Sequence, residues 1–233
     1  MSTIPYQRAL IIGAGTGISG ALTRQLREAG LAVALAARNT EKLKNLVKET
    51  GARAFSADAA DPASVETLFH AVDEAIGAPD VVIYNASGRV RGPLAQLEPA
   101  AVRQSLEVTA FGGFLAVREA ARRMEPQGRG AILLTGASAS IKGFAQSAPF
   151  AMGKFALRGL AQSAARELGP KGIHVAHINI DGGVRSADRT ETADAPDSML
   201  DPEAIAETYL ALLRQHRSAW SFEVELRPWV ERF

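Results

Sequence analysis

The chain has no cysteine in its 233 residues, which excludes disulfides, thiolate nucleophiles and thiolate-bound metals while leaving the redox compartment open. A surplus of either charge is missing too. The 26 Lys and Arg stand against 25 Asp and Glu, for a net charge of +1, so there is no electrostatic footprint for nucleic acid or an anionic membrane surface. Long apolar runs are also absent: the longest, Leu31 to Ala37, is far too short to span a bilayer. Met1 to Arg8 is polar and carries no apolar signal core. The expectation is a cytoplasmic protein with neither a membrane nor a nucleic-acid partner.

What is present suits one α/β domain over residues 1–233, with 47% hydrophobic and 22% charged content. Short β-rich apolar runs alternate with longer helical patterns, as in βαβ units on a parallel sheet. Strands are predicted at Ala9 to Ile12, Ala32 to Ala36, Ala52 to Phe55, Val81 to Tyr84, Ala131 to Thr135, Ile173 to Ile178 and Ser221 to Leu226. Helical patterns fall at Ile18 to Ala29, Glu41 to Glu49, Ser64 to Ile76, Ala101 to Met124, Ala151 to Leu168 and Glu203 to Gln215. Gly30, Asp61-Pro62, Gly169-Pro170 and Asp201-Pro202 punctuate them as caps and stops. One connection is too long to be a simple turn: the polar stretch Asp181 to Leu200, a length that marks a functional or disordered loop.

After the first strand comes Gly13-Ala14-Gly15-Thr16-Gly17-Ile18-Ser19-Gly20, with a helix starting inside it. Glycines allow a tight turn and close backbone approach, and a helix N-terminus offers free N–H groups to a pyrophosphate. Glycines in this position also serve backbone geometry alone. The second strand ends in Arg38-Asn39, without the carboxylate that would bond an adenosine ribose 2'-hydroxyl. Arg38 could instead pair with a 2'-phosphate, or act as an ordinary surface residue at a helix start. Ala57-Asp58-Ala59 follows the third strand and Asn85-Ala86-Ser87-Gly88 the fourth.

Together these segments resemble the short-chain dehydrogenase/reductase family along nearly the whole chain. The glycine loop is similar to Gly-x-x-x-Gly-x-Gly, with Ser19 where the last glycine is expected and only close helix packing at stake. Asp58 and Ala59 resemble the adenine-contacting segment, and Asn85, Ala86 and Ser87 the Asn-Asn-Ala-Gly motif. The resemblance implies a doubly wound Rossmann fold, a seven-stranded mainly parallel sheet of order 3-2-1-4-5-6-7 with helices on both faces. It also implies a cofactor site at Gly13, Gly15, Thr16, Gly17, Ile18, Arg38, Asp58, Ala59, Asn85, Ala86, Ser87 and Lys154, with NADP(H) favoured over NAD(H) on the strength of Arg38.

At the catalytic end the resemblance and the residues part. Ser147-Ala-Pro-Phe150-Ala-Met-Gly-Lys154 is similar to the family's Tyr-x-x-x-Lys helix, but Phe150 occupies the tyrosine position and has no proton to give. The serine position falls on Ala137, with Ser138 next to it and expected on the opposite side if strand alternation continues; the assisting asparagine falls on Thr109. Lys154 is one helical turn from Phe150, either bonding a nicotinamide ribose or solvated on the helix. Replacement proton donors are Ser138, Ser140, Asp181 or a water near Lys154. The catalytic set is therefore Lys154, Ser138 and Phe150, without a metal: His174 and His177 are three apart on a strand and should face opposite ways. Arg89 and Arg91 could reach an acidic substrate or be solvated. Phe111, Phe114 and Phe155 are expected in the core or a subunit interface, and Tyr209 in the core.

Two functions remain open. One is an NADP(H)-dependent short-chain oxidoreductase acting on a small carbonyl or alcohol, a homodimer or homotetramer whose segment 181–201 closes over the substrate. The other is a non-catalytic dinucleotide-binding protein.

Overall fold

The computed structural model describes residues 4–186, 189–192 and 194–230. Seven strands form one sheet: β1 Arg8–Ile12, β2 Ala32–Ala37, β3 Arg53–Ser56, β4 Val81–Tyr84, β5 Gly130–Thr135, β6 Ile173–Ile180 and β7 Glu223–Leu226. Their order is β3-β2-β1-β4-β5-β6-β7, and every neighbouring pair is parallel. The helices are α1 Ile18–Glu28, α2 Lys44–Thr50, α3 Pro62–Ile76, α4 Pro99–Leu106, α5 Gly112–Met124, α6 Ala148–Leu168 and α7 Pro202–Leu213.

Strand alternation divides the core into two layers. Ala9, Ile11, Val33 and Leu35 pack with Leu22 of α1 and Leu213 of α7, while Leu10, Ile12, Val82 and Tyr84 pack with Leu115 of α5 and Leu157 of α6 on the other face. β4, β5 and β6 are buried along their whole length, which is why β4 and most of β5 read as continuous apolar runs rather than alternating ones, while β6 carries His174, His177 and Asn179 buried among its apolar residues. Asp61 caps α3 by accepting from the amides of Ala63 and Ser64, and Asp201 caps α7 by accepting from Glu203.

The single helix expected over Ala101 to Met124 is interrupted: Glu107–Phe111 forms a π-helical turn between α4 and α5. Two outside groups engage that turn. The Tyr84 hydroxyl donates to the Val108 carbonyl, and the Thr109 hydroxyl accepts from the Gly88 amide at 2.8 Å, insertions of the kind that break helical continuity. Of the two places expected for Phe111, Phe114 and Phe155, core or subunit interface, the core is excluded, since they are 43%, 45% and 46% exposed. Tyr209 is fully buried as expected. The connection after β6 is anchored at both ends: Val184 bridges Leu200, Ser186 bridges Arg189, and Leu200 belongs to the core. Ala187, Asp188 and Ala193 of that segment lie outside the described residues. Among the described residues no helix is long and apolar enough to cross a membrane.

Candidate active site

The carboxyl ends of the strands carry two adjoining cavities, where ligands bind in open parallel sheets. Between β1 and α1 the chain turns across to β2, with the amides of Gly13 and Ala14 donating to the Ala36 carbonyl at 3.0 and 2.9 Å. Gly13 has φ +86°, and a Cβ there would come within 2.3 Å of the Ala86 amide nitrogen, so packing alone demands glycine. Gly15 and Gly17 differ: a Cβ on either would meet nothing within 4 Å, and both face the larger cavity with Ile18. Their small size keeps open space open rather than relieving a clash within the protein. Thr16, expected with them, is exposed and lies on neither cavity wall.

Ser19 does more than permit close helix packing. Its buried hydroxyl accepts from Asn85 Nδ2 at 2.8 Å and donates to the Gly13 carbonyl at 3.3 Å, tying the loop after β4 to the loop after β1. Asn85 thereby has a structural partner as well as a position on both cavity walls.

The smaller cavity, about 320 Å³, lies over the ends of β2 and β3. Arg38 and Lys42 stand on its wall with Asp58, Ala59 and Ala86. Asp58 accepts from the Ala60 amide at 3.0 Å, and its own amide donates to Ser64 Oγ at 3.0 Å, which fixes the turn. Neither Arg38 nor Lys42 has an ion-pair partner among the described residues.

The larger cavity, about 870 Å³, extends from the glycine loop to Lys154. Lys154 is only 3% exposed and donates to the Thr135 carbonyl at 2.6 Å, which rules out a solvated helix lysine. Burial first, and then the nearby charge of Arg89, lower its pKa from 10.5 to about 7. Phe150 lines the same cavity, with its ring centroid 5.9 Å from Lys154 Nζ and 4.7 Å from the guanidinium carbon of Arg89.

Strand alternation does not govern Ser138, because β5 ends at Thr135 and Ser138–Ser140 forms a 3-10 turn. Ala137 and Ser138 therefore both reach the cavity. Ser140 is buried, and its hydroxyl accepts from the Ala137 amide at 3.1 Å, so it shapes the turn instead of facing substrate. Thr109 is buried beneath, held by Gly88. Asp181 is on the wall, 3.8 Å from Lys142 and 3.4 Å from Arg227.

The two strand histidines go separate ways. His174 stacks on Trp220 with centroids 4.8 Å apart, whereas His177 Nδ1 pairs with Glu223 at 3.0 Å. Burial outweighs that carboxylate and lowers the His177 pKa to about 4, so the ring is neutral at physiological pH.

The sequence reading missed Lys42, four residues beyond Arg38, which that spacing could have suggested. It also missed Arg189, whose arrival at the cavity no local pattern signals.

A glycine-lined strand-to-helix turn at one end of a crevice and a buried lysine at the other define a nicotinamide-dependent oxidoreductase of the Rossmann type. The chain belongs to the short-chain dehydrogenase family, whose profile matches residues 7–196. A short-chain dehydrogenase structure from Rhodopseudomonas palustris is 37% identical, with a TM-score of 0.82 over 96% of this chain and 99% of that one. A metagenomic short-chain oxidoreductase in complex with NADP is 28% identical, with a TM-score of 0.85 over 99% and 100% of the two chains. An uncharacterised oxidoreductase of Staphylococcus aureus strain MW2 is 27% identical across 98% of this chain and the whole of its own length.

Proposed function

We propose that this chain is an NADP(H)-dependent oxidoreductase interconverting a small-molecule carbonyl and its alcohol, built as a single dinucleotide-binding domain over residues 1–233. The carrying observation is continuity: the two cavities share Gly13, Asn85 and Ser87, so an elongated ligand can run from Arg38 to Lys154. The open space over Gly15 and Gly17 suits a pyrophosphate beside the first amides of α1, which have no intrahelical acceptor. At the far end Arg38 and Lys42 suit a ribose 2'-phosphate, since both are cationic and Asp58, the only carboxylate on the wall among the described residues, belongs to the adenine side.

When bound, the nicotinamide supplies or accepts the hydride. Phe150 stands in the family's tyrosine position and cannot move a proton, so the proton falls to Lys154, whose pKa near 7 suits the exchange. In reduction its ammonium gives the proton that the new alcohol oxygen takes, and in oxidation its amine recovers it. Ser138 presents a hydroxyl to the same cavity and orients the oxygen. Segment 181–201 closes over the substrate. A second copy of the chain covers the exposed Phe111, Phe114, Met152 and Phe155, giving a homodimer or homotetramer.

Fluorescence titration with NADPH and with NADH tests the cofactor reading. NADPH is expected to bind about tenfold or more tightly than NADH, and the preference should vanish in Arg38→Ala/Lys42→Ala. Failure of both cofactors to bind would remove the reading altogether. The absence of a proton on Phe150 supports a second reading, a cofactor-binding protein without turnover. That reading gains if wild-type protein binds NADPH yet reduces nothing across a broad carbonyl panel, while Phe150→Tyr does.

A further inference from the structure

The larger cavity holds more positive charge than a dinucleotide site requires. Arg89 and Arg91 reach it from the loop after β4, Arg185 and Arg189 from the connection after β6, with Lys142 and Lys154 beside them. Among the described residues the sole acidic one on its wall is Asp181, already paired with Lys142 and Arg227. Arg185 is paired with Asp201. Arg89, Arg91 and Arg189 are left without an ion pair among the described residues. Their convergence is unfavourable in the empty protein: the Arg89 pKa is lowered, first by desolvation and then by the charges of Arg91 and Arg189. Like charges brought together from two separate loops disfavour the fold unless a ligand of opposite sign compensates them.

The posture of Arg89 adds direction. Its guanidinium carbon lies over the Phe150 ring, 4.7 Å from the centroid, a cation–π contact that uses none of its N–H donors and leaves them to bond an oxyanion. A phenylalanine here makes an apolar platform with no hydroxyl to compete for those donors.

We propose that the substrate is an anion, a carbonyl or alcohol compound carrying a carboxylate or phosphate that Arg89 grips from its seat on Phe150, with Arg91 and Arg189 supplying the surrounding positive field. The site rests on the proposed oxidoreductase reading for its reaction, but not for its binding. Arg89 is thus the specificity-determining residue, and neutral carbonyl compounds of the same shape are poor ligands.

The test is calorimetric titration of NADPH-saturated protein with 2-oxobutanoate, with its neutral methyl ester and with dihydroxyacetone phosphate. At least one anion should bind about tenfold or more tightly than the ester, and Arg89→Gln should weaken that anion by about tenfold while leaving NADPH affinity within about twofold. Whichever anion binds separates a carboxylate from a phosphate requirement. Neither anion binding more tightly than the ester, or an unchanged affinity for the preferred anion in Arg89→Gln, would overturn the proposal. So would a loss of NADPH affinity in that variant, which would assign the guanidinium to the cofactor's own phosphates. If the wild type binds no NADPH, the oxidoreductase reading fails, and the same titrations on free protein still decide the anion. Should Arg89→Gln not fold, Arg91→Gln carries the same expectation with a smaller loss.

Discussion

Lys154 is a nearly buried amine on the cavity wall, with a backbone carbonyl rather than a carboxylate as its partner. Its folded-state pKa of about 7 lies below the ordinary 10.5, so between those values the unfolded chain binds more protons than the folded one. Stability from this group therefore rises as pH rises from 7 toward 10.5, and below 7 the burial penalty is fully present. Urea unfolding should show Lys154→Met gaining on the wild type below pH 7 and losing that advantage as pH approaches 10; parallel curves would deny the buried ammonium. In turnover the sign is carried by the proton it donates: carbonyl reduction should decline as pH passes about 7, and alcohol oxidation should rise. Phe150→Tyr places a phenol beside that lysine, and with Lys154 already acting as the acid, steady-state assays should find reductase kcat changed by less than about tenfold; a rise of about a hundredfold or more, the usual worth of a positioned acid, would mean the wild type has none.

At the scale of elements, the site depends on the approach of α6 to the π-helical turn before α5. A Cβ on Gly153 would come within 2.9 Å of Thr109 Cβ, whereas a Cβ on Gly159 would meet nothing within 4 Å. The same substitution on one helix should therefore have opposite effects. Gly159→Ala should stabilise by about 0.5–1 kcal/mol through helix propensity, and Gly153→Ala should cost about 1–3 kcal/mol through overpacking, both read from denaturant midpoints. Gly153→Ala should also loosen the Thr109 bond to the Gly88 amide, and with it the loop that carries Asn85 and Arg89. Two variants shifting in the same direction would refute this account of α6.

For the whole molecule, four of the exposed apolar residues, Phe111, Phe114, Met152 and Phe155, lie on adjoining elements, while others such as Leu94, Phe144 and Trp229 lie elsewhere. Phe111 and Phe114 stack with centroids 6.0 Å apart, Phe155 is 46% and Met152 51% exposed, and α5 packs on α6. Light scattering coupled to size exclusion should give a mass of two or four chains, and Phe114→Asp/Phe155→Asp should shift it toward the monomer. A wild-type monomer would mean that these side chains stay in water.

The strand and helix succession, the parallel pairing and the glycine turn were legible in the sequence because each follows from local pattern: runs suited to burial on both faces, helical spacing between them, and caps such as Asp61 and Asp201; the strand order was implied by the family resemblance. Gly13 and Arg38 could be found from their places at strand ends, which in this topology converge on one edge of the sheet, and Asn85 and Lys154 from the family motifs they resemble. Other features needed the folded chain. Ser138 reaches the cavity because β5 gives way to a tight turn, and the fourth helix is broken because Tyr84 and Gly88, distant in sequence, engage its backbone and Thr109. Lys154 owes its depressed pKa to burial and to Arg89, neither of which its neighbours on the helix encode. Arg89 meets Phe150 across 61 positions of chain, and Arg189 joins them from a third segment. Periodicity and punctuation act between residues near in sequence, whereas the charge and desolvation that give this cavity its chemistry arise only among groups that folding brings together.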